Sequence, residues 1–229
     1  MRKTLLIISL VAAFAVSANA QMENVRLGIK LGPTVDWASS GSTAATHDGI
    51  RLGGNLGLVC DYYFTDNIAV SSGLGFNFLR LKYTFIDYRR AEDFLEETNI
   101  SVSRRLKATN IEIPLKGKLR IDVMDSFKAY AEAGVGLSIN CKDYGKDSYD
   151  FYKPYEGQSY VDCTNQYRPL QLSMIFGLGA EYEINRNLSA FAQLTFDHSF
   201  SNVFINSFEK QTGSILRNNY IGVEVGFMH

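Results

Sequence analysis

Asn110-Ile111-Glu112-Ile113-Pro114-Leu115-Lys116-Gly117-Lys118-Leu119-Arg120 is the stretch on which the reading of this chain turns. Ile111, Ile113, Leu115 and Leu119 alternate with Asn110, Glu112, Lys116, Lys118 and Arg120, the two-residue period of a β-strand. One face of the extended segment is free of charge and the other is crowded with it. Pro114 cannot donate to a ladder, so a bulge or a missing bond is expected there.

Seven further runs obey the same rule. Leu27, Ile29, Leu31, Val35 and Trp37 oppose Arg26, Gly28, Lys30, Gly32, Thr34 and Asp36. Leu52 to Phe64 and Ile68 to Phe78 form the second and third runs, with Gly53, Asn55, Gly57, Asp61, Ser71, Gly73, Gly75 and Asn77 on the other face. Ala129 to Ile139 oppose Lys128, Tyr130, Glu132, Gly134 and Gly136, while Leu170 to Tyr182 oppose Gln171, Ser173, Gly177, Gly179, Glu181 and Glu183. Leu188 to Phe196 oppose Ser189, Gln193, Thr195 and Asp197, and Ile221 to Phe227 oppose Tyr220, Gly222, Glu224 and Gly226. Each run is long enough for a tilted strand to cross a bilayer, which takes about 9–11 residues.

The two faces identify the solvent. None of the eight apolar faces carries Asp, Glu, Lys or Arg, whereas the opposite faces hold charges of both signs and twelve glycines. Glycine is a poor strand residue on a wet surface but suits a cramped interior. The apolar faces are therefore expected against lipid and the glycine-rich, charged faces inside. Strands at membrane depth must pair all their backbone groups, which requires a closed barrel. Trp37, Tyr62, Phe64, Phe78 and Tyr182, near run ends, suit the aromatic girdles of such a barrel. The expected fold is all-β: an eight-stranded antiparallel up-and-down transmembrane barrel.

Connections alternate in length. Phe64–Asn67, Ile121–Phe127 and Asn185–Asn187 are short; Ala38–Ile50, Thr84–Arg105, Asn140–Arg168 and Ser201–Arg217 are long and polar. Short periplasmic turns and long extracellular loops are the outer-membrane asymmetry. At the N-terminus Arg2 and Lys3 precede an apolar run from Leu5 to Val16, and Ala18-Asn19-Ala20 offers a small-x-small cleavage pattern. Residues 1–20 read as a signal peptide cleaved after Ala20, leaving 21–229 as the barrel domain in a Gram-negative outer membrane. An uncleaved N-terminal anchor is the competing reading of the same residues. Removing the leader takes the formal charge from −1 to −3. That balance argues against nucleic-acid binding, which needs a large cationic excess. With 21% charged residues the chain is too polar for a helical membrane bundle.

The whole mature chain resembles the OmpA/OmpX-like and PorT-like "porin family" outer-membrane barrels. The resemblance rests on Ile111-Glu112-Ile113-Pro114-Leu115-Lys116, on Gly177-Leu178-Gly179-Ala180-Glu181-Tyr182, and on Gly222-Val223-Glu224-Val225-Gly226-Phe227. The last looks like the C-terminal signal read by the barrel-assembly machinery, although it ends in Met228-His229 and has Ile221 where a polar residue is usual. The resemblance implies an outer-membrane lipid environment, that machinery as a partner during biogenesis, and no cofactor. It names no job, because such barrels include adhesins, assembly factors and enzymes.

Lys30, Glu112, Lys116, Lys118, Glu132, Glu181 and Glu224 are expected to form an interior charge network. It would act as a polar plug, or else as a gate on a narrow ion path. Cys141 and Cys163 flank the third long connection, where a disulfide would be favoured by an oxidising compartment. Cys60 reads as a small lipid-side hydrophobe, and no metal site is expected from three scattered cysteines. Asp197-His198-Ser199, with His47-Asp48, invites an enzymatic reading, but neighbours on a strand face opposite ways. Tyr144, Tyr149, Phe151, Tyr152, Tyr155, Tyr160 and Tyr167 offer either contact area for an extracellular ligand or self-packing. The expected role is structural or interactive through the outer loops. A narrow channel and a PorT-like accessory role with a secretion-complex partner are the alternatives, and an outer-membrane enzyme ranks below them.

Overall fold

Period-two alternation is realised as eight long strands: β1 (Val25–Ser40), β2 (Arg51–Thr65), β3 (Ile68–Asp87), β4 (Ile100–Met124), β5 (Phe127–Tyr149), β6 (Leu170–Asn185), β7 (Leu188–Ser199) and β8 (Leu216–Met228). The computed structural model describes residues 24–41, 45–87, 100–149, 160–185, 187–206 and 213–229. The leader expected over residues 1–20 lies outside them. Each strand pairs antiparallel with the next, and β8 pairs with β1 to close the wall. Short strands Ala45–His47 and Val161–Asp162 add to the outer ends of β3 and β5.

Closure carries a stagger. Stepping across the register from Arg26 leads through Asp61, Ser71, Lys116, Gly134, Ile175, Asp197 and Tyr220 back to β1 at Asp36, ten residues further on. Eight strands so tilted enclose a space that side chains alone can fill. Turns at the lower rim are tight. The Thr65 hydroxyl accepts the Ile68 amide at 3.1 Å, and the Asn185 side-chain oxygen accepts the Asn187 amide at 3.0 Å. These side chains stand in for the missing ladder bonds. At Pro114 the strand persists without a bulge. The β3–β4 ladder instead lapses at Gly73 and Leu74, and the Ser72 hydroxyl donates to the Pro114 carbonyl at 2.8 Å.

The inside-out arrangement is plain in the exposures. Leu115, Leu119 and Leu178 are more than half exposed, whereas Lys118 is 2% exposed and Glu181 and Glu224 are completely buried. On β3 the outward apolar row runs from Ile68 to Phe78. That is about 36 Å of strand, or about 26 Å of height at a tilt near 45°. This is the apolar band of an outer-membrane barrel, about 25 Å tall.

Above that band the polarity reverses. On β3 the inward positions become Leu79, Leu81, Tyr83 and Phe85, all buried, and the outward ones Arg80, Lys82 and Thr84. On β4 the inward Val102, Leu106 and Ala108 are buried, and Ser103, Arg105, Lys107 and Thr109 face out. Neither strand changes register parity at the switch; the solvent changes. On β5 a true irregularity opposite Thr109/Asn110 shifts the inward row from even to odd positions. Residues expected in the loops Thr84–Arg105 and Asn140–Arg168 therefore belong in good part to strands, which continue above the apolar band. Their inward apolar residues join Tyr167, Val203, Phe204, Leu216 and Tyr220 in one buried cluster. The extracellular end is a folded head with a water-soluble protein's own kind of core.

Candidate functional site

Two structures occupy the axis of the barrel: an ionic column at membrane depth and the head above it. The column is built from inward residues of all eight strands, seven of them supplying charged side chains, since each strand contributes every second side chain. At its base Glu181 on β6 accepts Lys118 at 2.5 Å and Arg26 at 3.0 Å, with Arg120 at 3.6 Å. Lys118 also reaches Asp61 at 2.8 Å and lies 4.1 Å from the Tyr130 ring centroid. One level up, the Lys30 ammonium donates to both Glu224 oxygens at 3.0 Å. Asn55 and Gln193 donate to the same carboxylate, Gln193 at 2.5 Å. Lys116 pairs with Glu132 alongside. Near the top Glu112 accepts Asn77 at 2.6 Å and Tyr220 at 3.4 Å, while Asp197 accepts Ser173 at 2.7 Å.

Buried charges cost little only when paired and hydrogen-bonded, and this column meets most of that demand with side chains alone. The remaining space is small. A cavity of about 20 Å³ lies between Asn77, Asn110, Glu112, Asp197 and Asn218, room for about one water molecule. Interior rings close other gaps. Tyr130 lies over its cross-strand partner Gly179, and Phe191 over Gly226. A Cβ added at Gly179 would sit 2.4 Å from the Tyr130 ring, so only glycine admits the ring there.

The head is fastened by Arg104, which points into the apolar cluster. It holds Asp147 with two bonds, 2.6 and 2.8 Å, and its guanidinium lies 4.9 Å from the Phe85 ring centroid. Gln166 and the Tyr167 hydroxyl complete its surroundings, and Tyr167 bonds Tyr83. Tyr167 bridges to Phe204, and Arg168 donates to the Phe204 carbonyl at 2.7 Å, so two outer connections are tied over the barrel mouth.

The closed wall, its apolar belt and its asymmetric ends agree with the sequence comparison, in which the outer membrane protein beta-barrel domain matches residues 18–208. The chain belongs to that family. As an outer membrane barrel it sits in the Gram-negative outer membrane. No curated protein matches the sequence. Among solved structures, a major outer membrane protein from Thermus thermophilus is 14% identical, with 90% of this chain and 98% of that chain covered and a TM-score of 0.46. Neisserial surface protein A is 14% identical over 87% and 95%, with a TM-score of 0.43. Ail, the attachment invasion locus protein of Yersinia pestis, crystallised with a heparin analogue, is 12% identical over 90% and 99%, with a TM-score of 0.41.

Within this outer membrane barrel, Lys30, Glu112, Lys116, Lys118, Glu132, Glu181 and Glu224 all lie inside and buried. Six of them form three pairs: Lys30 with Glu224, Lys116 with Glu132, Lys118 with Glu181. Glu112 instead bonds the neutral Asn77 and Tyr220. Arg26, Asp61 and Arg120 belong to the same column but were not counted in it from the sequence. Their inward register was visible, yet nothing local shows that Arg26 and Arg120 converge on Glu181, or that Asp61 shares Lys118 with it, from across the barrel.

Cys141 and Cys163 are not brought together. Both are free thiols among the described residues, Cys141 exposed and Cys163 half-buried. The irregularity in β5 falls at Cys141 and leaves it outside the wall, whereas Cys163 packs over Gly145 beside Arg104. Burial pushes the Cys163 thiol up to about 11, against the pull of Arg104. Cys60 lies on the lipid-side register, half-buried. Asp197 faces inward to Ser173, while His198 faces outward to Asn219 at 2.5 Å, so the two do not form a pair. Tyr167 is core, while Tyr160 and Tyr144 are outside, stacked by Lys107 and Lys142. Phe151, Tyr152 and Tyr155 lie outside the described residues.

Proposed function

We propose that this barrel is a surface-interaction protein whose ionic column is a structural plug and whose extracellular head is the working part. The observation that carries the reading is the reversal of polarity on β3 and β4, which builds an apolar core above the bilayer. A barrel serving only to pass ions has no use for a buried aromatic cluster across its mouth. The contact surface assigned to the head is the outward edge around Tyr160 and Val161, both exposed. Aromatic side chains of this kind give large contact area at low entropic cost. The plug reading makes the column's charges a matter of stability, with no mobile ion.

The test has two arms. Purified barrel in a planar bilayer should show no discrete conductance steps, and steady single-channel steps would restore the channel reading. Cells carrying the Tyr160→Ala/Val161→Ala variant should lose adhesion to immobilised glycoprotein matrices while the barrel remains heat-modifiable on gels. If instead a deletion strain keeps its adhesion but fails to export secreted proteins, the PorT-like accessory role replaces this one.

A further inference from the structure

The outward face of β3–β5 just above the apolar band has a composition that strand pairing alone does not tolerate. Its positions are Arg80, Lys82 and Thr84 on β3, Ser103, Arg105, Lys107 and Thr109 on β4, and Lys142, Tyr144, Lys146 and Ser148 on β5. Six are cationic and none is acidic, in a chain whose formal charge is −1. The register makes the crowding worse. Arg80 lies directly opposite Lys107, Lys82 opposite Arg105, and Arg105 opposite Lys146. Like charges in direct cross-strand pairs destabilise a sheet. Asp48 meets Lys82 at 2.5 Å, but among the described residues Arg105 and Lys146 bond no carboxylate.

Height decides what this face meets. Arg80 and Lys107 stand two residues above Phe78 and Thr109, which is about 7 Å along the strand and about 5 Å in height. That places them within the headgroup layer, which adds about 5–8 Å to each side of the hydrocarbon. Lys82, Arg105 and Lys146 reach its upper edge. All lie on the outward side of the wall, where Lys82 meets Asp48, Lys107 lies 3.9 Å from the Tyr160 ring centroid, and Arg105 and Lys146 are open to neighbouring lipids. Long cationic side chains at this level can lay their stems on the apolar belt and hold their charge among the headgroups.

We propose that this face is a binding surface for phosphate-bearing lipid headgroups of the outer leaflet. Phosphate oxygens seated between Arg80 and Lys107, and between Lys82, Arg105 and Lys146, would convert repelling pairs into bridged ones. The lipid then acts as the counter-charge that the β3–β5 wall lacks, and it fixes the barrel's height in the membrane.

The test uses the full barrel in a maltoside micelle with phosphatidic acid as the probe, and bound lipid counted by native mass spectrometry. Each cation near a charged lipid surface is worth about fivefold in affinity. Wild type should therefore retain phosphatidic acid over phosphatidylcholine, and Arg80→Gln/Lys107→Gln should lose about twentyfold. Arg51→Gln/Arg217→Gln, the same charge change on β2 and β8, should lose less than threefold. Heat modifiability confirms folding of each variant. Three results would overturn the proposal: no preference for phosphatidic acid, equal losses in both double variants, or displacement of the lipid by inorganic phosphate at equal concentration. The last would mark a generic anion site in place of a headgroup surface.

Discussion

Replacing Glu224 with Met probes the column at its best-connected point. The substitution removes the acceptor for Lys30, Asn55 and Gln193 together while keeping a side chain of similar length. Lys30 is then a buried ammonium without its partner, and breaking a buried pair from one side costs about 3–5 kcal/mol. Lys30→Met is milder, about 3 kcal/mol, because Asn55 and Gln193 still donate to Glu224. In the double variant no charge is stranded. What remains is the Asn55 amide without an acceptor, about 1–3 kcal/mol, since Gln193 keeps Thr195 at 2.9 Å. The double variant should thus be more stable than either single variant, at a loss of about 2 kcal/mol against an additive sum of about 7. Trp37, the sole tryptophan, faces out on β1 with its ring 6.3 Å from Phe196, and reports folding by its fluorescence. In urea titrations of the barrel in vesicles, Glu224→Met should lower the midpoint by about 2 M for a slope near 2 kcal/mol/M. A double variant weaker than both singles would refute the paired-column account.

Membrane topology gives a further outcome. A cysteine at Arg105 should react with an impermeant maleimide on intact cells and one at Leu115 should not, judged by mass shift in a background lacking native cysteines. In the unaltered protein Cys141 should label readily. Cys163 should be slow at pH 8 and rise about tenfold per pH unit until its thiol titrates near 11, because only the thiolate reacts. Gel mobility should not change on reduction if the two sulfurs stay apart. Asp143, buried in the head, is raised by burial from 3.8 to about 6. Its folded value exceeds its unfolded one, so ionisation opposes folding: the penalty is absent below about pH 4 and complete above about pH 6. Asp143→Asn should therefore raise the melting temperature of the head at pH 8 and leave it unchanged at pH 4, measured by hydrogen exchange of β5 amides on heating.

The membrane part of the wall was legible because period two and charge segregation coincide along Ile68–Phe78 and Ile111–Leu119. Nothing in those runs depends on a distant residue. The head was not legible under the same rule. Leu79-Arg80-Leu81-Lys82-Tyr83-Thr84-Phe85 alternates as cleanly as any membrane run, but its apolar residues sit on odd positions where those of Ile68–Phe78 sit on even ones. Taking apolar to mean outward turns that slip into a strand end and a loop. The signal was present as a phase change without a turn residue, and its physical meaning is a change of solvent. The column shows the other limit. Inward charges could be read strand by strand, but pairing Arg26 with Glu181, 155 positions apart, depends on the ten-residue stagger, which no local pattern states.

The phase change also links the two halves of the molecule. A strand crossing from lipid to water can exchange its faces in two ways: by inserting a residue, as β5 does at Cys141, or by exchanging its residue types, as β3 and β4 do. The second way keeps the hydrogen-bond ladder unbroken through the boundary, from Gly75↔Glu112 up to Asp87↔Ile100. A continuous ladder makes the head a rigid continuation of the barrel, so a force or ligand on the head acts on the column directly. The Glu224 variant should therefore also quicken hydrogen exchange at Leu81 and Leu106 above the membrane. If exchange at those amides stayed at the wild-type rate while the column lost several kcal/mol, head and barrel would be separate folding units joined only in sequence.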